Sequence, residues 1–196
     1  LLPRVSALFK WTNRLSTRIG GGLGYRNASM FNQESELLGY KNVLAINRNT
    51  TKAEQSYGGN ADIGYKFPIN EKMFINFNQM FFYTIINNAT VLKQDNLGNP
   101  FFSNSGKSIT SIGFETNAKI IYKEDFKFFL GYTFTHAKAA YLQINQLVPL
   151  VPRNKLNLAL VFEKEKNFKI GFEGYFTDRQ YLYNGNQTLS FWVFGF

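Results

Sequence analysis

Apolar and polar residues alternate with a period of two through most of the chain, which is the spacing of strands with unlike faces and not of an amphipathic helix. Residues 73–86 show it best: Met73, Ile75, Phe77, Phe81, Tyr83 and Ile85 share one face and Asn76, Asn78 and Thr84 the other, with Gln79 and Phe82 breaking the rule. The pattern returns downstream. Ile112, Phe114, Ala118 and Ile120 oppose Ser111, Glu115, Asn117 and Lys119, and Phe126, Phe128, Leu130, Tyr132 and Phe134 oppose Lys127, Thr133 and Thr135. Leu156, Leu158, Leu160 and Phe162 then oppose Lys155 and Asn157, and Phe168, Ile170, Phe172 and Phe176 oppose Lys169, Glu173 and Thr177. About nine strands are predicted, starting near residues 3, 14, 53, 73, 108, 126, 154, 168 and 188.

The links between them alternate in length. Short ones are expected at Trp11 to Asn13, Phe67 to Glu71, Tyr122 to Asp125 and Glu163 to Asn167, and long ones over roughly 26–52, 87–107, 138–153 and 179–187. Short turns on one side and long loops on the other are the rhythm of an outer-membrane barrel, with the long set facing outward. No run of about 18 apolar residues occurs, so a membrane helix is not expected, whereas barrel strands need only about 9 to 11 residues with alternate ones polar. Aromatics near strand ends, including Trp11, Tyr25, Tyr65, Tyr122, Tyr132, Tyr175, Tyr181 and Tyr183, suit the interfacial girdles of such a barrel.

Composition narrows the chemistry. The 196 residues are 44% hydrophobic and 17% aromatic, with no cysteine, which removes disulfides, thiolate metal sites and cysteine nucleophiles. The formal charge of +9 would fit nucleic acid, an anionic membrane surface or an anionic ligand. The basic residues are scattered over turns and alternate strand positions, without a basic helix or compact cluster, and nucleic acid is not an expected partner. Gly20, Gly21, Gly22, Gly24, Gly58 and Gly59 are not followed by Gly-Lys-Ser/Thr and are read as strand curvature or a bulge, not a phosphate loop.

No catalytic constellation stands out. His136 is the only histidine, so a multi-histidine metal site is impossible, and it is read as an interfacial or loop residue. Asp62, Glu115, Glu173 and Asp178 are read mainly as solvated lumen charge, and the Asn-x-Ser/Thr sequons at Asn27, Asn49, Asn88 and Asn186 as loop composition. No enzyme activity, metal or cofactor is expected. If the chain is a barrel, ligand contacts come from the long loops and upper lumen, where aromatics and cations can hold an anionic chelate: Tyr40, Arg48, Tyr141, Arg179, Tyr181 and Tyr183.

Four stretches carry a resemblance to TonB-dependent outer-membrane receptors. Val148-Pro149-Leu150-Val151-Pro152-Arg153-Asn154-Lys155-Leu156-Asn157-Leu158 resembles the Pro-Arg box before a late barrel strand of that family. Leu2-Pro3-Arg4-Val5-Ser6 is similar to a mid-barrel strand start, Glu54-Gln55-Ser56-Tyr57-Gly58-Gly59-Asn60 to a strand after a long loop, and Phe81-Phe82-Tyr83-Thr84-Ile85-Ile86-Asn87 to the aromatic strand that comes next. The order of the four matches the family.

The resemblance implies an all-β fold: an antiparallel transmembrane β-barrel of 22 strands with an N-terminal plug. Residues 1–196 would be its incomplete C-terminal portion of about nine strands, without plug, TonB-binding box or first barrel half, and an odd strand count agrees with a part of a barrel. Leu189-Ser190-Phe191-Trp192-Val193-Phe194-Gly195-Phe196 resembles a terminal assembly signal, though family members often continue through one more strand, and truncation is the expectation. The implied function is uptake of an iron-siderophore, haem, cobalamin or glycan at the bacterial outer membrane. Outer-membrane lipid, lipopolysaccharide, a small nutrient ligand and the TonB complex, reached through the plug, would be the partners. The alternatives are a complete small barrel acting as adhesin or structural protein, a barrel hydrolase dependent on His136, and a soluble glycan-binding β-sandwich.

Overall fold

The computed structural model describes residues 2–31, 36, 39–143, 145–164 and 167–196. Among the described residues eleven strands follow one another: β1 (Arg4–Lys10), β2 (Leu15–Arg26), β3 (Glu54–Asn70), β4 (Met73–Asn87), β5 (Thr90–Gln94), β6 (Pro100–Asn104), β7 (Ile109–Tyr122), β8 (Phe126–Ala139), β9 (Asn154–Lys164), β10 (Phe168–Thr177) and β11 (Phe191–Gly195). Nine of them form one sheet in the order β1-β2-β3-β4-β7-β8-β9-β10-β11, each antiparallel to its neighbours, and β5 and β6 pair separately. The nine sheet strands are those that period-two alternation predicts. The last begins at Phe191 and not near residue 188, and β3 runs on to Asn70, so the turn after it is tighter than expected.

One register unites the faces. Along β3 to β10, rows such as Ala61-Phe81-Phe114-Phe134 and Phe67-Ile75-Ile120-Phe128-Leu160-Phe172 lie on one side, and rows such as Gly64-Asn78-Asn117-Gly131-Asn157-Tyr175 on the other. A slip of one residue in any pair would exchange the faces, so the apolar pattern itself specifies the pairing. Among the described residues the apolar face has no second layer over it: Phe81 is 53%, Ile112 53% and Ile170 62% exposed. Among the described residues the buried apolar side chains are only Ala89, Phe102, Ala137 and Ala139, all at the long-loop edge. One sheet with a bare aromatic face is not a sandwich, whose two sheets would bury that face between them.

Both exceptions in β4 have structural reasons. Gln79 lies on the apolar face but is matched across the ladder by Thr116, whose hydroxyl donates to its Oε1 at 2.6 Å, while its Nε2 donates to the Glu115 carbonyl at 3.2 Å. Phe82 lies on the polar face opposite Gly113, where a Cβ would stand 2.5 Å from the Phe82 ring tip and collide with the Phe134 carbonyl oxygen. The missing side chain at Gly113 is the room that the ring occupies.

Links β1–β2, β3–β4, β7–β8 and β9–β10 are short and leave from one edge; the other four are long and leave from the opposite edge. In the first, Thr12 Oγ1 accepts from the amides of Arg14 and Leu15, and in the third Lys123 and Glu124 both take positive φ.

Candidate functional site

The long-loop edge carries two built clusters. The first joins the loop after β2 to the β5–β6 hairpin. Glu54, only 8% exposed, accepts from Arg26 Nε at 2.7 Å and Nη2 at 2.8 Å, and its Oε1 also accepts from the Thr90 amide at 2.8 Å. A carboxylate held by a two-pronged guanidinium and a backbone amide is well satisfied despite its burial. Asn104 acts as a second pin: its Nδ2 donates to the Lys52 and Asn88 carbonyls, and its Oδ1 accepts from the Lys52 amide. Phe102, 2% exposed, packs beneath, with the Thr51 hydroxyl on its carbonyl.

The tip of this hairpin is an Asx-type turn. Asp95 Oδ1 accepts from the amides of Leu97 and Asn99, and Gly98 turns the chain at φ 82°. These hydrogen bonds, the Asn99 amide first, hold the Asp95 carboxyl below the usual aspartate range. Sequence reasoning treated 87–107 as loop. The signal was there in Asp95-Asn96-Leu97-Gly98, a turn between two short apolar runs.

The second cluster joins the loops after β8 and β10. The segment carrying Pro149 and Pro152 runs back along β8: the Val148 amide donates to Ala137, the Thr135 amide to Arg153, and the Leu150 amide to Tyr181 at 2.9 Å. Leu150 takes φ 59°, which turns the segment toward Tyr181. Across from it, Gln180 and Thr188 bond reciprocally, Tyr181 bridges Gln187, and Gly185 closes the tip at φ 84°.

The expected ligand residues fall as follows. Arg179 and Tyr181 line a recess of about 300 Å³ with Thr135, Ala137, Arg153 and Gln187, and Tyr181 and Tyr183 line an adjoining one of about 150 Å³. Arg48 lies elsewhere, in a recess of about 950 Å³ beside Phe31, Lys52 and Asn88. Tyr40, with its ring 5.9 Å from that of Phe31, and Tyr141 line none of these. Thus three of the six are brought together and Arg48 belongs to a separate cluster. Sequence reasoning missed Arg153 and Gln187, since only the fold carries them to Arg179. Among the described residues no group of three or more His, Cys, Asp or Glu is placed to hold a metal.

Comparison with known proteins agrees with the fold. No protein-family model and no curated protein matches the sequence. Among solved structures the chain is similar to the FrpB iron transporter from Neisseria meningitidis, with a TM-score of 0.71, 14% identity, and coverage of 98% of this chain and 31% of that one. It is also similar to the ferric-catecholate import receptor Fiu from E. coli K12, with a TM-score of 0.67, 13% identity, and coverage of 97% and 27%. For the copper transporter OprC the TM-score is 0.69 at 13% identity, with coverage of 97% and 30%. The sheet therefore has the fold of part of a TonB-dependent receptor barrel, and the chain spans under a third of the chains it matches.

Proposed function

We propose that this chain forms barrel wall and external loops of an outer-membrane, TonB-dependent receptor that imports a scarce nutrient, with the apolar face against lipid and the polar face lining the lumen. The observation that carries the reading is the shared register, which sorts aromatics and aliphatics to one uncovered face while all long loops leave from one edge. In water such a face would be a large aggregating patch; against hydrocarbon it is the expected surface. In this reading Lys119, Lys127, Lys155 and Lys169, all on the polar face, never meet lipid.

The ligand class that fits is a small anionic chelate, held at the lumen mouth by Arg179 with the Tyr181 and Tyr183 rings, and in a second loop cluster by Arg48. Energy would reach the receptor from the TonB complex through an N-terminal plug. The test is the size and heat-modifiability of the native protein in outer-membrane fractions, detected with an antibody to residues 179–187, followed by nutrient-limited uptake with R179A/Y181A. A heat-shifting band several times the size of this chain, with uptake lowered roughly tenfold in the variant, is expected. A heat-shifting band at this chain's own size would replace the reading with a small complete barrel.

A further inference from the structure

A chain of side-chain hydrogen bonds crosses β8, β9 and β10 and ends at Arg179. Tyr132 lies on the apolar face of β8, and its hydroxyl donates to Asn154 Oδ1 at 2.7 Å, two residues along β9 from its ladder partner Leu156. Asn154 Nδ2 donates in turn to Asp178 Oδ2, and the Arg179 amide donates to Asp178 Oδ1 at 2.8 Å. The Asp178 amide donates to the Asn154 carbonyl at 3.1 Å, so the β9–β10 pairing runs one residue past Thr177 and brings the two side chains together.

Donor and acceptor chemistry leaves this chain one direction. A carboxylate accepts and a backbone amide donates, so Asp178 takes its two hydrogen bonds from Asn154 Nδ2 and Arg179, which turns Asn154 Oδ1 toward the Tyr132 hydroxyl. Arg179 is fixed from its other side as well: the Gln180 amide donates to Thr188 Oγ1 at 3.0 Å, and the Thr188 amide returns a bond to the Gln180 carbonyl at 2.9 Å. Its backbone is thus held at both neighbours. Its guanidinium makes no ion pair among the described residues, and Arg179 lines the 300 Å³ recess with Arg153 and Tyr181. A long cationic side chain has less freedom left to lose on meeting an anion when its root is already fixed. We propose that Tyr132, Asn154 and Asp178 are positioning residues, a relay from the apolar face that holds Arg179 in place and thereby sets how tightly the recess grips an anionic ligand. The proposal rests on the ligand reading above.

The experiment compares the full native protein in detergent as parent, N154D, D178N and the swapped pair N154D/D178N. N154D sets one carboxylate against another, and D178N turns an amide nitrogen toward one of two donors. The swap returns every donor to an acceptor, since a carboxylate at 154 accepts from Tyr132 and from an amide at 178, whose oxygen accepts from Arg179. The readouts are hydrogen exchange at the Arg179 amide, titration with ferric citrate as a small anionic chelate, and the temperature of heat modification. Each single variant is expected to speed exchange at Arg179 and to weaken ferric citrate about tenfold, with the heat-modification temperature unchanged, and the swapped pair to recover both to within about threefold of the parent. A swapped pair as impaired as N154D, or affinity lost with exchange at Arg179 unchanged, would overturn the relay. A heat-modification temperature that falls in step with affinity would reduce the three residues to structural support and overturn it too. Failure of the ligand reading would look different: ferric citrate left unbound by the parent, or bound equally by R179A, would remove the small anionic chelate as occupant, while exchange at Arg179 would still decide the relay.

Discussion

Gln79 and Thr116 face each other across β4 and β7 near mid-strand on the apolar face, and the Thr116 hydroxyl donates to Gln79 Oε1 at 2.6 Å. Polar groups in such surroundings are tolerated when they satisfy each other, and removing one strands the other. Replacing Gln79 by leucine should therefore cost about 1 kcal/mol, whereas Q79L/T116V should return close to the parent. Urea unfolding of barrels in lipid vesicles measures both. A double variant whose loss equals the sum of the Q79L and T116V losses would mean the pair contributes nothing as a pair.

Gly113 should tolerate no side chain. An added Cβ meets the Phe82 ring on one side and the Phe134 carbonyl on the other, and G113A is expected to destabilise by about 1–3 kcal/mol. Adding F82A removes the ring but not the carbonyl, so the double variant should recover only part of the loss. Full recovery in the same unfolding assay would assign the whole conflict to Phe82.

Glu54 ties β2, β3 and the β5–β6 hairpin together through Arg26 and the Thr90 amide. Substitution by alanine leaves that amide without its acceptor and should lower local stability by about 1–3 kcal/mol. The loss should stay local: amide exchange speeds up across Thr90–Gln94 while the β4–β7 ladder keeps its protection. Uniform acceleration across the sheet would show Glu54 to be a global determinant and not a loop latch.

The hairpin tip should open in acid. Hydrogen bonding lowers the folded-state pKa of Asp95 below its ordinary 3.8, so its contribution is complete above that value and disappears as pH falls through the lowered one. Exchange at the Leu97 and Asn99 amides, corrected for intrinsic pH dependence, should rise as the pH falls below that ordinary value. D95N keeps an acceptor without the titration and should abolish that rise. An unchanged profile in D95N would place the pH response elsewhere.

Period-two alternation alone determined the nine sheet strands, their faces and the short and long sides, because face assignment follows from parity once the apolar side must avoid water. Residues such as Phe126, Phe128 and Leu130 are legible one by one for that reason. Where parity failed, at Gln79 and Phe82, the explanation lay across the ladder in Thr116 and Gly113, some 30 to 40 positions away in sequence. The same holds for the loops. Nothing local joins Glu54 to Thr90, Leu150 to Tyr181, or Arg153 to Phe134; each pair forms because the sheet order delivers distant loop ends to one edge. Strand identity is written in near-neighbour chemistry, whereas sites are made of side chains that meet only after the strands are paired, so only the tertiary structure could decide which of the expected ligand residues share a recess.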